Sequence, residues 1–183
     1  MRFSQTTQCF YPDDIDYPSL PADIAIVTQA DFDLAMSRAS GETLKLVNGS
    51  VVIVPAPAPT LAQVQAMQIA DLSAACAAQI YSGFTSSARG APHTYPAKDR
   101  DQSNLSASVT ASLLPNLPAN WTTDFWCADG AGAWALRPHT VTQIQQAGLD
   151  GKTAIETAIR KNATLAQQVM AATTVASVQA IIW

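Results

Sequence analysis

Thr43-Leu-Lys-Leu-Val-Asn-Gly-Ser-Val-Val-Ile-Val-Pro-Ala-Pro-Ala-Pro-Thr60 is the segment on which the organisation of the chain turns. Thr43–Val47 and Ser50–Val54 are apolar and β-branched, and they flank Asn48-Gly49. Both of those residues accept positive φ, which a tight hairpin turn demands, so the stretch predicts a β-hairpin. Alternating prolines from 55 to 59 cannot pair into a sheet and favour an extended connector. Thr60 then supplies a helix N-cap. The division that follows is residues 1–54, a small strand-rich module; residues 55–59, a proline-rich linker; and residues 60–183, a larger mixed module of helices and hairpins.

Outward toward the N-terminus, Arg2 to Tyr11 reads as one strand running into a Pro- and Asp-rich loop ending at Pro18. Ile24 to Val27 reads as a short strand. Thr28-Gln-Ala-Asp31 approximates a capping box and opens a helix with Phe32, Ala35 and Met36 on its apolar face, stopped by Gly41.

Toward the C-terminus, the helix opened by Thr60 runs to about Ile80, with Ile69, Leu72, Cys76 and Ile80 on one face. Gly83–Ser87 and His93–Tyr95 predict a hairpin around Gly90-Ala-Pro. A helix over Asp101–Leu113 ends at a Pro- and Asn-rich break. Trp121–Ala128 and Ala133–Arg137 predict a second hairpin across Asp129-Gly-Ala-Gly132. Thr140 caps a helix, Gly148 to Gly151 reads as a break, Thr153–Ala172 is helical again, and Thr174 caps a last short helix.

Charged residues are 13% of the chain, about half the usual share of roughly 25%. Much of the surface is therefore polar without charge, which suits a subunit that buries part of itself against a partner. The net charge of −4 lies wholly in residues 1–58. No basic stripe is present, so the electrostatic footprint of a nucleic-acid binder is missing. Cys9, Cys76 and Cys127 form no CxxC pair and no disulfide framework, which points to a reducing compartment. The opening Met1-Arg-Phe-Ser-Gln-Thr lacks an apolar core of signal-peptide length, and no run has the length of a membrane span. The expected site of synthesis and assembly is a cytoplasm.

Signatures of chemistry fail on inspection. Gly151-Lys152-Thr153 ends like a P-loop, but Gln146 occupies the position of the required first glycine and no strand precedes it. It reads instead as a turn between helices. His93 and His139 have no second ligand at metal spacing. Asp13, Asp14 and Asp16 sit in no EF-hand pattern and read as a solvated loop. No nucleophile elbow occurs, and a glycosidase pair such as Asp124 with Glu156 would be arbitrary. The expectation is no catalytic residue, no metal and no cofactor.

Four aromatic residues, Trp121, Phe125, Trp126 and Trp134, fall on the second hairpin. Strict alternation puts Trp121 and Phe125 on one face and Trp126 on the other. We expect Trp121 and Trp134 in the core and Trp126 exposed, where it would serve as a platform for a protein or a sugar. Asp101, Gln102 and Asn104 are expected to start a helix and bond nearby backbone groups, a structural role shared with Asn48 and Gly49 in their turn.

Ser82-Gly-Phe-Thr-Ser-Ser-Ala-Arg-Gly90, His93-Thr-Tyr-Pro-Ala-Lys98, Asp101-Gln-Ser-Asn-Leu105, Trp121-Thr-Thr-Asp-Phe-Trp-Cys-Ala-Asp129 and Trp134-Ala-Leu-Arg-Pro-His-Thr140 together resemble a domain that recurs in bacteriophage and prophage tail-gene clusters. The resemblance covers about Ile80 to Trp183, with Arg89 standing where a leucine is expected. The first half is similar in layout to the N-terminal part of phage tail-fibre assembly proteins. This resemblance implies a non-enzymatic protein that assembles or caps tail fibres, partnered by a fibre or baseplate protein. The alternative is a baseplate or fibre-tip component touching a host surface glycan or protein. An enzyme acting on polysaccharide is more remote. The place of action would be the host cytoplasm during assembly, or the virion tail. The fold class expected is α+β.

Overall fold

A computed structural model describes residues 1–183. The architecture is α+β, and the chain divides into two units, Met1–Pro59 and Thr60–Trp183.

In the first unit, β1 (Arg2–Ser4), β2 (Cys9–Tyr11) and β3 (Ile24–Ile26) form an antiparallel sheet of order β2-β1-β3. The single strand expected over Arg2–Tyr11 is therefore two. Gln8 turns the chain with φ 58°, and its side-chain amide bonds both Leu44 N–H (2.6 Å) and Leu44 C=O (2.9 Å). That amide stands in for one residue of a neighbouring strand. Helix α1 (Gln29–Met36) begins with the Thr28–Asp31 capping box. Asp31 also accepts from Val51 N–H, so one carboxylate fixes both the helix start and the hairpin. Its pKa is lowered, chiefly by the Thr28 hydroxyl. Met36, expected on the apolar face, is the last residue of the helix and is 64% exposed. The hairpin β4 (Thr43–Val47) and β5 (Ser50–Val54) pairs in full register across Asn48 (φ 52°) and Gly49 (φ 85°). Phe3, Val27, Ala35, Leu44 and Val51 make the core.

Residues 55–59 are exposed and adopt no regular structure. Limited digestion with a broad-specificity protease should leave a protected fragment beginning near Thr60. Resistance to cutting until the whole chain unfolds would mean that the two units are one cooperative body.

In the second unit, α2 (Leu61–Tyr81) starts at a Thr60–Gln63 capping box. Then follow β6 (Phe84–Ser86), β7 (His93–Tyr95), α3 (Asp99–Ser112), β8 (Thr122–Ala128), β9 (Trp134–Thr140), α4 (Val141–Ala171) and α5 (Val175–Gln179). The strands form an antiparallel sheet in sequence order. Helix α4, 31 residues and roughly 46 Å long at 1.5 Å per residue, joins two cores. Its first half lies against the sheet, where Phe84, Tyr95, Leu105, Phe125, Cys127, Ile144 and Ala147 cluster. Its second half packs on α2 and α5 through Leu72, Val169 and Val178. With almost no charge in α2, glutamines serve the helix ends: Gln65 Nε2 donates to Val169 and Ala172 carbonyls (3.1 Å each), and Gln68 Nε2 to Ile181 (2.7 Å).

The expected break at Gly148–Gly151 is absent, since α4 runs straight through it. These glycines are there for space. A Cβ on Gly148 would lie 2.6 Å from Val109 Cγ2, and one on Gly151 would lie 2.8 Å from Phe84 Cζ. Their missing side chains let α3 and the Phe84 ring approach the helix. Lys152 consequently stands mid-helix, paired with Glu156, and not in a phosphate-binding turn.

Candidate functional site

The register of the β8–β9 hairpin decides which aromatic residues are free. Trp126 pairs with Leu136, Ala128 with Trp134, and Asp124 with Pro138. Directly paired residues share a face. Phe125, Cys127 and His139 therefore turn inward and are buried, while Trp126 (52% exposed), Leu136 (53%) and Trp134 (51%) turn outward. Trp121 is half-buried and packs on the core. Trp134, expected inside, is thus on the outer face. The turn from Asp129 to Ala133, closed by Asp129 N–H to Ala133 C=O, sets that register, and Asp129 accepts from the Ala131 and Ala133 N–H groups and from Arg137.

Helix α3 buries Leu105 with the inward-facing Phe125 and Cys127, and another side of it runs along the hairpin. Asp101, Asn104, Ala107 and Ser108 from the helix, with Asp124, Phe125, Trp126 and Leu136 from the hairpin, line a groove of about 310 Å³. Two motifs far apart in sequence meet there. Asp101 keeps its structural task, accepting from Lys98 N–H (3.1 Å) at the helix start. Gln102 bonds the Ala97 carbonyl (2.8 Å) and faces another cavity.

That second cavity is larger, about 540 Å³, and opens between α3 and α4. Phe84, Leu105, Val109, Leu149 and Ile155 line it, with the two spacing glycines and a rim that includes Gln102, Gln145 and the Lys152–Glu156 pair. Along the same side of α4, within roughly 60° of Ile155 by helical geometry, Ile159 (52% exposed) stands one turn beyond the cleft and Met170 (64%) roughly 22 Å beyond Ile155.

Several side chains suited to chemistry are engaged within the fold. His139 is fully buried. Its Nδ1 lies 2.8 Å from the Arg137 carbonyl, which can only accept, so Nδ1 carries the proton and Nε2 accepts from the Tyr95 hydroxyl (2.8 Å). Burial lowers the His139 pKa and raises that of Tyr95. His93 bonds the Ala91 carbonyl, and Cys76 and Cys127 are buried free thiols while Cys9 is exposed. Arg89, in place of the expected leucine, reaches the Pro138 carbonyl on β9.

Residues 63–182 match the family described as Domain of unknown function (DUF4376). The chain belongs to that family. The DUF4376 region takes in every element from the first turn of α2 through α5, and with them the sheet, the groove and the cleft. No curated protein and no solved structure matches the chain. No helix is long and apolar enough to cross a membrane.

Within the DUF4376 region, the sequence singles out Asp101, Asn104, Phe125 and Trp126 of the groove one by one, while Trp121 and Trp134 lie outside it, and neither Ser108 and Leu136 nor the cleft stands out. Its lining comes from β6, α3 and α4, and no local pattern links them. One signal was present: two glycines one helical turn apart, on one face of a segment whose other residues favour helix.

Proposed function

We propose that this DUF4376 protein is a non-enzymatic bacteriophage tail protein that binds a fibre or baseplate subunit and helps it to assemble in the host cytoplasm. The observation that supports this best is the apolar cleft between α3 and α4, with the exposed Ile159 one helical turn beyond it. Exposed apolar side chains gathered about a cleft are a common mark of partner binding, since they are costly to leave in water. The low charge of the chain and its resemblance to tail-fibre assembly proteins point the same way.

Co-expression with the tail-fibre subunit of the same phage or prophage, followed by pull-down, tests the reading. A complex is expected, and Leu149→Lys with Ile159→Lys should weaken it by at least about tenfold, as loss of central apolar contacts does. Both positions are exposed, so the fold should persist. Absence of a complex, or capture unaffected by the double substitution, would defeat the proposal. A second reading, in which the protein stays in the virion near the fibre tip or baseplate and touches the host, is favoured by the outward-facing Trp126 groove. Stoichiometric presence of the polypeptide in purified particles is its expected mark.

A further inference from the structure

We infer that the groove between α3 and the β8–β9 hairpin is a binding site for a neutral saccharide. The argument rests on what lines it. Trp126 presents a half-exposed indole on a sheet face that its inward neighbours leave to solvent. The face of an aromatic ring is electron-rich and attracts the weakly positive C–H groups that a pyranose ring carries on its flatter side. Beside that ring stand Asp124, Asp101, Asn104 and Ser108. Carboxylates accept strong, charge-assisted hydrogen bonds from hydroxyls, and an amide both donates and accepts. Adjacent sugar hydroxyls need that combination.

The polar groups of the groove are available. On α3, Ser103, Thr110 and Ser112 turn their hydroxyls back onto helix carbonyls, whereas Asn104 and Ser108 are left to the groove. Asp101 uses Oδ2 for the helix start and has Oδ1 to spare. Neither Asp101 nor Asp124 takes part in any of the ion pairs of the protein.

Charge selects within the class. No Lys or Arg lines the groove, so two carboxylates would repel an acidic sugar. The same two carboxylates fall short of a metal site, since no group of three His, Cys, Asp or Glu gathers anywhere. A protein partner is a poorer fit, because Asp is depleted in protein interfaces and two of them line this groove. The volume of about 310 Å³ is at the small end of ligand clefts, which run from about 300 to 1,000 Å³. That is room for one or two sugar rings, with further rings in solvent.

The test uses the full chain on a printed array of neutral and acidic glycans, followed by NMR titration of the isotope-labelled protein with the best neutral glycan. We expect saturable shifts of the Trp126 indole N–H and of the amides of Asn104 and Asp124. Trp126→Ala should weaken binding by about 30-fold, the loss of a central aromatic contact. Asp124→Asn should weaken it while retaining the shape of the site. Both variants should keep the melting temperature of the parent, since these side chains are exposed, and both should still capture the fibre subunit. Retention of no neutral glycan, preference for acidic glycans, shifts that survive Trp126→Ala, or loss of fibre capture in that variant would each overturn the assignment. The last outcome would make the groove a protein-binding surface.

Discussion

Phe84→Ala is expected to remove about 3–5 kcal/mol from the stability of the Thr60–Trp183 unit, the range for a deleted buried phenylalanine. Against a total of about 5–15 kcal/mol for a typical domain, that lowers the melting temperature by roughly 10–20 °C. The ring is 7% exposed, stacks on Tyr95 at 5.2 Å and occupies the space that a side chain on Gly151 would need. This contact makes a sharper test in the other direction. Gly151→Ala alone gains about 1 kcal/mol of helix propensity but puts a methyl 2.8 Å from the tip of a buried ring that is already stacked on Tyr95. Overpacking of this kind costs about 1–3 kcal/mol, so a net loss of about 1 kcal/mol is expected. In the Phe84→Ala background the obstruction is gone and Gly151→Ala should become stabilising by about 1 kcal/mol. Denaturant melts of the four proteins measure the cycle. Additive effects would show that the glycine does not serve the ring.

The second large effect is at His139. Removing its ring by His139→Ala opens a cavity and strands the buried Tyr95 hydroxyl, at about 3–5 kcal/mol in sum. The same pair carries a pH dependence with a definite sign. In the unfolded chain the imidazole takes up a proton at its ordinary value of 6.5, while burial holds the folded value lower. Between the two values the unfolded state binds more protons, so stability falls as pH drops below 6.5. Protonation also turns Nε2 into a donor facing a hydroxyl whose hydrogen already points at it. The lowered carboxylates Asp129 and Glu156 act in the same direction, but only as pH falls below their ordinary values of 3.8 and 4.5. The window from pH 5 to pH 6.5 therefore isolates the histidine. His139→Gln, which keeps an acceptor for Tyr95 without titrating, should flatten the stability profile there, measured by urea midpoints at fixed temperature. An unchanged slope in that variant would assign the acid sensitivity elsewhere.

Much of this structure is written in neighbouring residues. Thr28, Thr60, Thr140 and Thr174 each close a capping box with the residue three positions on, and the bonding partner sits in the same few letters as the threonine. Asn48-Gly49 fixes a turn and the register of its two strands by backbone conformation alone. The proline run marks the boundary between units because Pro lacks an N–H wherever it is placed.

The misreadings share a different cause. Gly148 and Gly151 look like a helix break because isolated glycine weakens a helix. They stay helical because Val109 and Phe84, distant in sequence, occupy the space their side chains would need. Trp134 looks like core by residue type and is exposed because hydrogen bonds within the Asp129–Ala133 turn place it opposite Ala128. Gln8 ends a strand because its amide finds Leu44.

The sequence by itself determined the α+β class and the positions of the helices and hairpins that begin on local capping or turn chemistry. Only the tertiary structure decided that α4 is unbroken, which tryptophans reach solvent, that Asp101 and Asn104 share a groove with Trp126, and that a cleft opens between α3 and α4. Caps and turns are interactions between residues a few positions apart, whereas a groove or a cleft is the space left between elements and depends on how all of them pack.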